Sequence, residues 1–145
     1  MDLKEKELLL KDLSSRLFYN PWVQFNLEYG DNGHKEGSYR AHISSIDPTS
    51  GWIEVDYFES ETWEREWSGT IENVKPYLRP MSSMTEEERN EYFDFRGQEL
   101  QRVAFAEVGR EEAISEVMDW LLSHHFDIRG LIEKGLALEA PKGMY

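Results

Sequence analysis

Hydrophobic positions change their period as the chain proceeds. Leu9, Leu10, Leu13 and Leu17 recur at i, i+1, i+4 and i+8, the spacing of one helical face. Lys4, Lys6, Glu7, Lys11 and Asp12 fall on the other sides. The pattern predicts a helix over residues 2–17. Asp2 and Glu5 form a capping box at its start, and Asn20-Pro21 ends it. From Trp22 the period becomes two. Val23, Phe25, Leu27 and Tyr29 alternate with Gln24, Asn26 and Glu28, as in a half-buried strand. Gly30-Asp31-Asn32-Gly33 is strong turn chemistry. Tyr39, Ala41 and Ile43 then alternate with Arg40, His42 and Ser44, and Asp47-Pro48-Thr49-Ser50-Gly51 turns the chain again. Ile53, Val55 and Tyr57 alternate with Glu54 and Asp56 over Trp52–Phe58, and a fourth strand begins at Trp63 and continues past Trp67 to Thr70-Ile71. Four short strands at this spacing predict an antiparallel meander that curls into a small β-barrel.

The second half returns to helical spacing. Val74–Pro80 reads as a rigid exit, with Tyr77 and Leu78 packing beneath the barrel. Thr85 and Glu88 form a second capping box, with acids at the positive end of a helix. That helix is expected to run to about Phe95 and stop at Gly97. A further stretch over Gln98–Val108 follows, then a helix over Glu111–His125. Its stripe of Ile114, Val117, Met118, Leu121, Leu122 and His125 reads as core. A short turn at Leu131–Lys134 and an irregular tail complete the chain. The fold class is α+β, with an N-terminal helix plus a small antiparallel SH3-like β-barrel or meander over 1–80 and a helical region over 81–145, either a subdomain or packed on the barrel as one unit.

Composition narrows the function classes. The 145 residues contain no cysteine, and 13% are aromatic, so burial rests heavily on rings. The net charge is −13, shared almost equally between residues 1–80 (−6) and 81–145 (−7). Direct binding to nucleic acid or anionic lipid needs clustered Lys and Arg. No segment approaches a bilayer-spanning apolar run, and the charged amino terminus does not read as a signal peptide. A cytoplasmic protein is expected, with a protein partner and without direct nucleic-acid or membrane binding.

Two resemblances attach to particular residues. Lys75-Pro76-Tyr77-Leu78-Arg79-Pro80-Met81-Ser82-Ser83-Met84-Thr85-Glu86-Glu87-Glu88 and His125 to Pro141 resemble a family of uncharacterised proteins encoded in gut Bacteroidales genomes and their prophage-like elements. That resemblance implies a mobile-element accessory role and nothing about catalysis. The strand pattern ending in a proline-containing turn resembles SH3-like or Tudor-like barrels, an analogy of fold that transfers no function.

Motifs for chemistry are missing. The adjacent His124 and His125 point about 100° apart on a helix and do not readily share a metal. The serines include no G-x-S-x-G elbow, and the glycines form neither G-x-G-x-x-G nor a Walker loop. No cofactor and no catalytic residue is expected. The aromatic and acidic residues of the third and fourth strands offer a different chemistry. Trp52, Tyr57, Trp63 and Trp67 beside Glu54, Asp56, Glu64 and Glu66 suit a cationic side chain, by cation–π attraction plus carboxylate pairing. The parity of Trp63 and Trp67 places both on one sheet face. The alternative for the rings is core packing. The expected function is a non-catalytic interaction module binding through this barrel surface. Its rivals are an acidic inhibitor that mimics DNA charge and an enzyme of unknown class.

Overall fold

The computed structural model describes residues 1–27 and 37–145. The first leucine face forms helix α1, Leu3–Arg16. The Asp2 carboxylate accepts from Glu5 N–H at 2.8 Å and the Glu5 carboxylate accepts from Asp2 N–H at 2.9 Å, so the capping box is reciprocal. The period-two segments form β1 (Trp22–Leu27), β2 (Gly37–Asp47), β3 (Trp52–Phe58) and β4 (Glu64–Thr70), an antiparallel meander. The expected Gly30–Gly33 turn, with Glu28 and Tyr29, lies outside the described residues. β2 runs to Asp47, and its register against β3 shifts between Ile43 and Ser45, as at a β-bulge. The next turn is held by Asp47, whose carboxylate accepts from Thr49 N–H at 2.9 Å and from the Ser50 hydroxyl at 2.8 Å. Gly51 completes it at φ +75, a value that favours glycine.

Residues 74–80 differ from expectation. They do not simply leave the sheet. A 3₁₀ turn over Ile71–Asn73 leads into β5, Val74–Leu78, which pairs antiparallel with β1. Val74, Pro76, Tyr77 and Leu78 are all buried, and the burial outweighs the N–H that Pro76 lacks. β6 (Leu138–Glu139) then pairs in parallel with Tyr77 and Leu78 alone, so the ladder beside Pro76 is short. The sheet order is β4-β3-β2-β1-β5-β6. It is an open, mostly antiparallel sheet, and among the described residues no ladder closes it into a barrel.

The helices of the second half also differ in detail. α2 is one helix, Glu86–Ala104, running straight through Gly97, and α3 spans Arg110–Ser123. Glycine inside a helix costs about 1 kcal/mol relative to alanine. The Thr85–Glu88 capping box and continuous hydrogen bonding carry the helix past that cost. No helix among the described residues is long and apolar enough to cross a membrane.

The core draws on both halves. Leu9 and Leu13 of α1 pack with Val23, Phe25, Ile53, Val55 and Ile71 of the sheet side, and with Leu131, Leu136 and Ala137 of the returning chain. A boundary at residue 80 therefore cuts through one hydrophobic cluster. The return is tied by reciprocal backbone bonds, Arg79 N–H to His125 C=O and Asp127 N–H to Arg79 C=O, both 2.8 Å. Asp127 then caps the following turn, accepting from Leu131 N–H at 2.8 Å and Ile132 N–H at 3.0 Å.

Beneath this junction lies a charge cluster around Asp12, which the leucine pattern placed on the surface. Asp12 and Arg16 are fully buried. The Asp12 carboxylate accepts from Arg16 Nε at 2.7 Å and Nη2 at 3.1 Å, and from Arg129 Nη1 at 2.7 Å. Arg16 Nη2 also donates to the Phe126 carbonyl at 2.7 Å. Removing one partner leaves the other charges buried and uncompensated. Asp12→Ala is expected to lower unfolding free energy by about 3–5 kcal/mol, read from the urea midpoint at neutral pH; a loss below about 1 kcal/mol would be that of an exposed pair.

Candidate functional site

The register of the meander decides which side chains share a face. On the β2–β3–β4 ladder, His42 stands opposite Asp56 and Asp56 opposite Glu66, while Glu54 faces Ser68 and Phe58 faces Glu64. Glu54, Asp56, Glu64 and Glu66 thus share the solvent side with Trp52 and Phe58. Trp22 continues this face on β1, its ring 3.6 Å from that of His42. The opposite parity carries the core: Ile53, Val55, Tyr57 and Trp67 are buried.

Of the eight residues suggested by the sequence, the structure brings Trp52, Glu54, Asp56, Glu64 and Glu66 together on one exposed face. Tyr57 and Trp67 are corrected to core residues. Tyr57 packs edge-on to Phe25 at 4.9 Å, and the Trp67 indole stacks on Phe25 at 5.2 Å. A Cβ at Gly69 would overlap that indole, so glycine makes the space in which Trp67 lies. Trp63 precedes β4 rather than beginning it, and its ring is exposed where that of Trp67 is buried. Trp63 is 58% exposed, and the Arg65 guanidinium lies 5.0 Å from its ring centroid. Arg65 also donates to Glu59 at 2.9 Å. Trp63 therefore already holds a cation from its own chain. Phe58, which the sequence places at the end of the third strand, is 60% exposed beside Glu64. Its even parity with Glu54 and Asp56 was the available signal.

Electrostatically this face is unbalanced. Asp56 and Glu66 are directly opposed like charges, which destabilises a sheet. Among the described residues, none of Glu54, Asp56, Glu64 and Glu66 forms an ion pair. Glu54 accepts from the Ser45 hydroxyl at 3.0 Å. Asp56, Glu64, Arg65 and Glu66 line a shallow depression of about 380 Å³. β4 is the terminal strand of the sheet, so its outer backbone groups have no neighbouring strand among the described residues.

The groups with large pKa shifts lie elsewhere, around a pocket of about 570 Å³ lined by Arg79, Ser83, Thr85, Glu88, Lys142 and Tyr145. Arg79 makes a two-pronged contact with Glu88 at 2.6 and 2.7 Å and lies 4.4 Å over the Phe126 ring. The Arg79 hydrogen bonds hold the Glu88 carboxyl down at about 2. Tyr145 stacks on His125 at 3.6 Å, accepts from Trp22 N–H at 3.0 Å and donates to the Tyr77 carbonyl at 2.9 Å. Burial pushes its phenol up to about 12. His125, at φ +63 and two residues beyond the end of α3, is pushed down to about 4, first by burial and then by the positive charges of Arg16, His124 and Arg79. All three groups move away from neutrality, whereas general acid–base catalysis draws groups toward it. His124 points away from His125 and stacks on Trp120 at 4.0 Å. Among the described residues no three His, Asp or Glu side chains are placed to hold a metal ion.

No family model, curated protein or solved structure matches this chain.

The His125 environment has a measurable consequence. An ordinary histidine in the unfolded chain takes up a proton below about pH 6.5, while folded His125 resists it until about 4. Its contribution therefore lowers stability as pH falls through that window. Glu88 acts lower, its stabilisation fading only as pH falls from 4.5 toward about 2. Urea midpoints measured between pH 7 and pH 4.5 are expected to fall less steeply in His125→Asn, a neutral side chain that tolerates positive φ, than in the parent. An identical slope would remove His125 from the account.

Proposed function

We propose that this protein is a non-catalytic interaction module that binds an extended, basic segment of a partner protein along β4 and the outer face of β3–β4. The observation that carries this reading is the uncompensated pair Asp56–Glu66 between the exposed rings of Trp52 and Phe58. Like charges left opposed on a sheet cost stability, and a rule broken locally without internal compensation marks a surface kept for another purpose. A strand added to the β4 edge gains main-chain hydrogen bonds, and its alternate side chains fall beside Glu64 and Glu66. Lysine or arginine there meets carboxylates and the face of Phe58 at once.

This moves the expected anchor from Trp63 and Trp67 to Phe58 and Trp52, because Trp67 is core and Trp63 is engaged by Arg65. The rival of an acidic decoy for a DNA-binding site calls for carboxylates arrayed like duplex phosphates, and here rings interrupt the row. The enzyme rival calls for groups tuned toward neutral pH, and the shifted groups point the other way. The resemblance to proteins of Bacteroidales mobile elements adds a setting to this proposal, a partner within such an element or its host.

The reading is tested by affinity capture with the full chain at low and moderate salt, alongside Phe58→Ala and the pair Glu64→Gln/Glu66→Gln. A partner with a basic extended segment should be retained by the parent and reduced at least about tenfold by either change, as loss of one aromatic anchor or two charge contacts allows. Partners captured equally by all three proteins would place binding elsewhere.

A further inference from the structure

A second surface stands apart from the sheet. α2 is 19 residues long, yet Glu99 is its only buried residue. Its principal neighbour is α3. The two helices run antiparallel: Val103 and Arg110 meet at one end, while at the other Tyr92 lies 5.4 Å from Trp120. Between them runs an apolar groove of about 490 Å³, with Leu100, Val103, Ile114, Val117 and Met118 in its lining. The sequence assigned Ile114 and Met118 to the core. They are 56% and 36% exposed, and Leu100 is 62% exposed. The helical stripe was read correctly, but α3 turns much of it toward solvent. Amphipathic helices owe most of their stability to a covered face, and no other described element covers this one.

Charge identifies what fits there. α2 carries Glu86, Glu87, Glu88, Glu91 and Asp94, and α3 carries Glu111, Glu112, Glu116 and Asp119, none of which lines the groove. The charged side chains in the lining are Arg96, Arg110 and Glu99. Glu99 is neutralised by Arg102 at 2.9 and 3.1 Å. Among the described residues, Arg96 and Arg110 make no ion pair. A chain of net charge −13 thus leaves its helical groove cationic while carboxylates crowd the other sides of the same helices.

We infer that the α2–α3 groove docks an amphipathic helix of a partner protein whose apolar stripe is flanked by carboxylates. The apolar anchors at i, i+3/4 and i+7 enter between the two helices and complete a three-helix bundle. The carboxylates reach Arg96 and Arg110 in charge-assisted contacts. A second copy of this chain is the poorer occupant, because two-fold pairing sets one cationic groove against another between molecules that repel at long range. The inference stands on a different surface from the β4 edge and does not rest on it.

The probe is a pair of synthetic helical peptides with the same Leu/Ile stripe, one flanked by Glu and one by Lys, titrated against the full chain by fluorescence anisotropy. Bulk charge alone favours the Lys peptide. The groove favours the Glu peptide, expected to bind roughly tenfold tighter, as two local ion contacts allow. Arg96→Gln/Arg110→Gln is expected to abolish that preference. Leu100→Ser/Ile114→Ser, at exposed positions, is expected to weaken both peptides without lowering the melting temperature. Tighter binding of the Lys peptide, or indifference to Leu100 and Ile114, overturns the proposal. So does a concentration-dependent dimer in sedimentation that Leu100→Ser dissolves, since that assigns the groove to a second copy.

Discussion

The buried carboxylate of Asp12 fixes how the rest of the chain is arranged. It binds Arg16 within α1 and Arg129 from 117 residues further on, and through Arg16 it reaches the Phe126 carbonyl. A fully buried carboxylate is tolerable only where its oxygens meet well-placed donors. That demand specifies the position of residues 126–129 against α1. With them come the Arg79–Asp127 backbone bonds, the Asp127 turn and the leucines that finish the core under the sheet. Hydrophobic contact alone has no such directionality, because many placements of Leu131 and Leu136 bury similar area. The ionic cluster selects one.

The limits of sequence reading follow from the same physics. α1 and its capping box, the four meander strands and the Asp47–Gly51 turn were legible because each rests on local periodicity or local hydrogen bonding. Asp12 was placed on the surface because it falls off the leucine face; its burial depends on Arg129, far along the chain. β5 was missed because Pro76 argues against a strand until a partner is known. The break assigned at Gly97 weighed one residue's propensity against a helix of five turns. For the candidate site, parity put the four carboxylates on one face and left the rings between core and surface. It did not separate buried Trp67 from exposed Trp63, because parity names a side and not its depth of cover. The groove was present in the sequence as a core stripe, and no local signal tells a buried stripe from an uncovered one.

With the core closed in this way, two surfaces remain uncompensated and they differ in character. The β3–β4 face is acidic and aromatic at an open sheet edge, suited to an extended basic segment. The α2–α3 groove is apolar with two arginines, suited to an acidic amphipathic helix. Elsewhere Arg79 pairs with Glu88, Arg65 with Glu59, and Arg102 with Glu99. Among the described residues Asp56, Glu66, Arg96 and Arg110 form no ion pair.

This account depends most on the claim that α2 is carried outside a core formed by α1, the sheet and the returning chain. Native-state hydrogen exchange of the full chain tests it directly. Amides of α2 should exchange through local openings of clearly lower free energy than those of β1, β5 and the core-facing turns of α1, which should share the global value. Protection of α2 equal to that of β1 would contradict the account: α2 would then belong to the core, and the groove beside it would not be a free surface.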